Sequence, residues 1–125
     1  MKRTKYLRRR IRHYKIRKTV SGVPDKPRLC VHKSLRHLYV TVLDDISRPD
    51  GCVTILNMTT NTKELKAGKK KSFRNIEEAT KLGEAVGRAL LEKNIKSVVF
   101  DRAGYKYHGC VKAIAEGVRK AGVNI

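Results

Sequence analysis

The residues best suited to chemistry crowd into Ser97 to Val111, SVVFDRAGYKYHGCV, where an apolar run gives way to a short loop of Arg, Lys, Tyr and His. Arg102 and Lys106 interleave with Tyr105 and Tyr107, the combination that holds phosphate and stacks on a base or sugar. Gly104 and Gly109 let the backbone turn tightly or approach a ligand closely. A second group, Arg28, Cys30, His32, Ser34, His37, Tyr39 and Thr41, alternates onto one face of a predicted hairpin. Basic groups, imidazoles and a tyrosine on a sheet face are how many RNA-binding sheets present stacking and hydrogen-bonding groups. An ordinary solvated face competes for each residue singly; the composition of the whole face favours RNA.

Other chemistries fare worse. Asp44, Asp45 and Asp101 fall at predicted strand ends, where clustered carboxylates could hold two metal ions. Against a nuclease, Arg102 directly follows Asp101 and should neutralise it, while Asp44 and Asp45 point to opposite sides of a strand. Cys30, His32 and His37 could be three zinc ligands, but no fourth is evident. His108 has no nucleophile to activate, and no glycine-rich nucleotide loop is present. The expectation is no catalytic residue, no metal, no cofactor and no small-molecule substrate.

The elements that must position these groups follow from periodicity. Val98, Val99 and Phe100 predict a strand buried on both faces, and the loop past the carboxyl end of a parallel strand is where an open sheet exposes binding groups. Arg28 to Lys33 and His37 to Leu43 read as two strands; matching their apolar faces sets Val31 opposite Val40 and Leu29 opposite Val42, leaving Leu35 and Arg36 as the turn. Asp44 to Gly51, DDISRPDG, reads as a turn-rich loop before a third strand, Cys52 to Met58. Thr59 to Arg74, with Lys63, Lys66, Lys69, Lys70, Lys71 and Arg74, reads as a mobile basic loop and a secondary phosphate contact. Asn75 with Glu78 marks a helix start, Ile76, Ala79, Leu82, Val86, Ala89 and Leu90 its apolar stripe, and Asn94 its end. Strand, helix, strand predicts a right-handed crossover between parallel strands. Val111, Ile114, Ala115 and Val118 give a last helix closed by Gly122.

Met1 to Val20 holds ten cationic residues and no acid, so self-repulsion should leave this arm a frayed helix, with Leu7, Ile11 and Tyr14 at helical spacing. A transit peptide would also be Arg-rich, but serine is scarce and basic residues occupy nearly every helical face. Residues 21–27, SGVPDKP, read as a linker, and 28–125 as one globular domain. The net charge of +19 implies a polyanionic partner, nucleic acid by default and acidic lipid as the rival. No apolar run approaches the roughly 20 residues that span a bilayer, so the expectation is a soluble intracellular protein with no membrane partner and three reduced thiols.

Lys26 to Asp45, KPRLCVHKSLRHLYVTVLDD, and Val98 to Val123, VVFDRAGYKYHGCVKAIAEGVRKAGV, closely resemble the L-eighteen family of bacterial large-subunit ribosomal proteins, which bind 5S ribosomal RNA. The resemblance implies an α/β, mixed α+β fold: a ribonuclease-H-like mixed sheet of about four strands, two packed helices and a basic N-terminal helical arm, without catalysis. It also implies anchoring of 5S rRNA to 23S rRNA in the central protuberance, beside ribosomal protein L-five, on a cytoplasmic or organellar ribosome. The candidate RNA contacts are then Lys2, Arg3, Lys5, Arg8, Arg9, Arg10, Arg12, Lys15, Arg17 and Lys18 in the arm; Arg28, His32, Lys33, Ser34, Arg36, His37 and Tyr39 on the hairpin; and Arg102, Tyr105, Lys106, Tyr107, His108 and Gly109 in the loop. The motif also includes Asp101 and Gly104. Ala103, where the family commonly has glycine, Cys110, where arginine is usual, and Leu35 in the turn depart from the pattern. A general basic RNA chaperone is the runner-up function.

Overall fold

The computed structural model describes residues 4–23, 25–48, 51–60 and 75–125. Alternation of apolar residues organises the sheet: Leu29 and Val31 of β1 (Arg28–Lys33) and Leu38, Val40 and Val42 of β2 (Leu38–Arg48) are all buried. The strands pair antiparallel with Leu29 opposite Val42 and Val31 opposite Val40, the register expected from matching apolar faces. The Ser34 N–H donates to the His37 carbonyl at 2.9 Å and closes the turn over Leu35 and Arg36.

β2 does not end at Leu43. It continues through Asp44 and Asp45 to Arg48 and pairs antiparallel with β3 (Gly51–Thr59), with register shifts after Val42 and after Asp44. The stretch expected to be a turn-rich loop is thus mostly strand. Its backbone is held from the other side, where the Asp45 N–H donates to the Gly22 carbonyl at 3.0 Å. The basic stretch 61–74 lies outside the described residues.

Helix α2 (Ile76–Glu92) starts where Asn75 Oδ1 accepts from the Glu78 N–H at 2.8 Å. Ala79, Leu82, Val86 and Leu90 are buried, whereas Ile76 is exposed and does not belong to the stripe. Gly83 and Gly87 are buried against α3 (Cys110–Lys120), and a Cβ at Gly83 would strike the Ile114 carbonyl. Asn94, in the left-handed region at φ 61°, turns the chain out of α2, and Gly122 at φ 108° does so after α3.

β4 (Val99–Asp101) pairs parallel with β1, Cys30 facing Asp101 in register, and completes the order β3-β2-β1-β4. β4 therefore runs parallel to β3 but is not its neighbour. As an edge strand it is covered less than expected: Val98 is fully buried, Val99 and Phe100 only half. The core, including Leu29, Val40, Val86, Ile114 and Val118, lies between one sheet face and the α2–α3 pair, each such side chain contributing about 1.5–3 kcal/mol. Helix α1 (Lys5–Arg17), capped by Thr4, lies on the other face, where His13, Cys30 and Asp101 bring ligand-type atoms within 4.8 Å of one another.

Candidate nucleic-acid interface

The candidate interface is built on a buried charge cluster. Asp101 ends β4 fully buried; its Oδ1 accepts from the Ala103 N–H at 2.8 Å, and its Oδ2 lies 2.7 Å from Arg28 Nη1 and 3.0 Å from His13 Nε2. Arg28 is itself only 2% exposed and donates through Nε and Nη2 to both oxygens of Asp45, at 2.9 and 3.2 Å. Asp45 also accepts from the Gly22 N–H at 2.7 Å. Burial pushes the Asp101 carboxyl up, but the Ala103 N–H, His13 and Arg28 outweigh it and hold the group below the ordinary carboxylate range. At Asp45, burial is likewise outweighed by Arg28, the Gly22 N–H and Arg17. Burial alone would lower the Arg28 pKa; its two carboxylates hold it above the ordinary value.

Two sequence expectations change here. Arg28 is not on the surface: its guanidinium is the counter-charge of two carboxylates. Asp101 is neutralised by Arg28, with His13 Nε2 also within hydrogen-bond distance, and not by Arg102, which donates instead to the Tyr105 carbonyl at 2.8 Å. The cluster is also a poor cation site. Arg28 already occupies Asp101 Oδ2, and burial pushes the Cys30 thiol up to about 11, against thiolate formation. The imagined zinc set fares no better, since His37 Nδ1 lies 3.2 Å from Thr60 Oγ1 while the His32 ring packs 5.7 Å from Tyr39.

The arm is a helix docked on this cluster. Arg9 Nη1 donates to the Ala103 carbonyl and Arg12 Nε to the Gly104 carbonyl, each at 3.0 Å, beside the His13–Asp101 contact. The docked face is Arg9, Arg12 and His13, not Leu7, Ile11 and Tyr14, and no residue of α1 is fully buried. The turn that receives it is left-handed at Ala103 (φ 53°) and Gly104 (φ 80°), and a Cβ on Gly104 would strike the Arg9 carbonyl. Self-repulsion is offset because the backbone carbonyls of Ala103 and Gly104 take up the inward guanidinium groups of Arg9 and Arg12. The segment read as a linker is likewise stitched down, through Gly22 and a Val23–Lys26 pair.

What remains outward is basic and aromatic. Lys5, Arg8, Arg10, Lys15 and Arg17 on α1 and its C-cap Lys18 are exposed, as are His32 and Arg36 on the hairpin and Lys106, Tyr107 and His108 in the loop. Arg17 lies 3.6 Å from Asp45. Tyr39 is half-buried; Ser34 and His37 are engaged within the turn, where the His37 N–H donates to Ser34 Oγ at 3.0 Å. Tyr105 exchanges hydrogen bonds with the backbone of Lys33, which ties the hairpin end to the loop. Tyr107 packs edge-on to Phe100, and Gly109 at φ 62° opens α3. Lys2 and Arg3 lie outside the described residues. Sequence reading gave His13 no role, and it weighed Asp45 as a metal-site carboxylate and not as the partner of Arg28. A lone imidazole four residues after Arg9, inside an arm half made of Lys and Arg, was the available signal for His13.

Fold and surface together define a small, strongly basic α+β binding protein whose acidic cluster is internally neutralised. The family model for ribosomal L18 of archaea, bacteria, mitochondria and chloroplast matches residues 2–125, and the chain belongs to that family. It is 46% identical over 123 residues to large ribosomal subunit protein uL18 of Dictyoglomus turgidum, covering 98% of this chain and 97% of that one. It is 44% identical over 122 residues to uL18 of Thermotoga petrophila, with 98% and 96% covered, and 44% identical over 115 residues to uL18 of Bacillus cereus strain B4264, with 92% and 90% covered.

Proposed function

We propose that this protein is a structural constituent of the large ribosomal subunit that binds 5S rRNA and helps attach it to 23S rRNA in the central protuberance, beside ribosomal protein L-five. Membership of the ribosomal L18 family makes it a ribosomal protein with a structural role. The finer reading rests on one observation: α1, which carries no acid, is held against the Asp101–Tyr105 turn by Arg9, Arg12 and His13, so its outward cations form an oriented surface and not a loose tail. Oriented cations can match the phosphate pattern of one folded RNA, whereas a loose tail neutralises any.

The test is an equilibrium titration against 5S rRNA and an equal-length unrelated structured RNA, in magnesium at physiological salt, with the recovered RNA checked for cleavage. A marked preference for intact 5S rRNA supports the reading. Equal affinity for both would favour the general RNA chaperone, and metal-dependent cleavage would reopen a catalytic role for the carboxylates.

A further inference from the structure

Tyr105 is the most prominent aromatic group of the loop motif, yet both its ring and its hydroxyl are engaged within the protein. Lys33 Nζ sits 4.9 Å from its ring centroid and the Arg9 guanidinium carbon 4.6 Å, while its hydroxyl bonds the Lys33 backbone. The alternation then continues onto the arm. Arg9 is also 5.7 Å from the Tyr6 ring, and Arg10 lies 5.8 Å from the same ring. One helical turn on, Lys18 stands 5.1 Å from the Tyr14 ring. Tyr6, Arg10 and Tyr14 of α1 and its C-cap Lys18 follow one another at i, i+4 spacing, so they form a single row that borders the docked residues Arg9 and His13 at its Tyr6 end. Tyr6 is 63% and Tyr14 68% exposed, which leaves large ring surface open to solvent beside cations.

We infer that Tyr6 and Tyr14 are the side chains of this protein that stack on unpaired RNA bases, with Arg10 and Lys18 on the adjoining phosphates, and that Tyr105 is a positioning residue that fixes the helix carrying them. The occupant is argued from charge: α1 has no acidic residue to repel a phosphate backbone, and rings alternating with cations suit a strand whose bases and phosphates alternate. The inference rests on the RNA-binding reading and deepens it.

The test uses the full chain and four variants: Tyr6→Leu/Tyr14→Leu, Arg10→Gln/Lys18→Gln, Tyr105→Phe and Tyr105→Leu. Leucine keeps helix propensity, so circular dichroism should show α1 intact in the first. The probes are 5S rRNA, the unrelated structured RNA, and a fully paired RNA duplex, each titrated across a salt series. Loss of stacking should weaken 5S binding by roughly 5- to 150-fold per tyrosine with an unchanged salt slope, and should leave the duplex unaffected. Arg10→Gln/Lys18→Gln should instead lower the salt slope by about 1 to 2 on every probe. Tyr105→Leu should expose α1 to trypsin and weaken binding, and Tyr105→Phe, which keeps the ring between its cations, should restore most of both.

Unchanged 5S affinity in the double tyrosine variant would overturn the inference, as would an equal loss on the duplex. So would a comparable loss in Tyr105→Phe with α1 still protected from trypsin. If the wild type fails to prefer 5S over the unrelated RNA, the 5S assignment falls, while a loss by the tyrosine variant on both structured RNAs would still support the stacking role.

Discussion

Arg28 Nη1 lies 2.7 Å from Asp101 Oδ2, joining the first residue of β1 to the last residue of β4 across 73 positions of sequence. The same guanidinium holds Asp45 on β2, so one side chain ties three adjacent strands. His13 reaches Asp101 from α1, and Gly22 reaches Asp45 from the segment between α1 and β1. The arm's placement and the body's integrity thus share a centre.

Removing that centre takes the principal counter-charge from the fully buried Asp101 and the half-buried Asp45. Arg28→Leu should cost about 3–5 kcal/mol, the range for breaking a buried pair, read from urea denaturation at neutral pH. Neutralising the partners as well, in Arg28→Leu/Asp45→Asn/Asp101→Asn, should recover a substantial part. A loss below about 1 kcal/mol in the single variant would mean that another group compensates the carboxylates.

The same cluster sets an acid dependence. Asp45 and Asp101 are held below the ordinary value of 3.8, so their stabilising contribution is fully present above that value and is lost as pH falls through their folded-state values. The urea midpoint should therefore hold steady near neutrality and drop as pH falls below about 4. Asp101→Asn should lower the neutral plateau and make the acid limb shallower. An acid limb as steep as that of wild type would assign the effect to other groups.

The hairpin and the helices were legible because their signals are local. Leu29, Val31, Val40 and Val42 alternate within a few residues of a turn, and Asn75 caps its own helix through Glu78. The charge cluster was not legible, because nothing near Arg28 in sequence distinguishes an outward arginine from one whose partners lie 17 and 73 residues away. The arm misled for a related reason. Its apolar stripe marks the face a helix would normally bury, but the loop offers carbonyls and a carboxylate, and those select Arg9, Arg12 and His13. Strand β2 outran its predicted end because Asp45, a poor strand former, is held there by Gly22 and Arg28.

Gly104 offers a way to loosen the arm while sparing the core. An alanine there would meet the Arg9 backbone and adopt φ 80°, a left-handed strain of about 1–2 kcal/mol. Gly104→Ala should speed tryptic cleavage within α1 while a cooperative unfolding transition of the body persists. Gly22→Ala should behave differently, since its Cβ would meet both Arg28 N and Leu43 O at 2.5 Å, between strands of the sheet. That variant should destabilise the whole body in urea. Matching proteolysis and unfolding profiles for the two would contradict separate roles.

The last expectation separates cations that face solvent from cations the protein has already committed. A protein neutralising about six to ten phosphates loses about three to five decades of RNA affinity between roughly 50 and 200 mM salt, and each contact removed lowers the slope by about 1. Arg36 and Lys106 are exposed, so Arg36→Ala and Lys106→Ala should each show that decrement against 5S rRNA. Arg102 is half-buried and donates to the Tyr105 carbonyl, so Arg102→Ala should weaken binding by loosening the loop while leaving the slope close to that of wild type. A full decrement for Arg102→Ala, with none for the other two, would reverse the assignment and place the phosphate contact inside the turn, not on its rim.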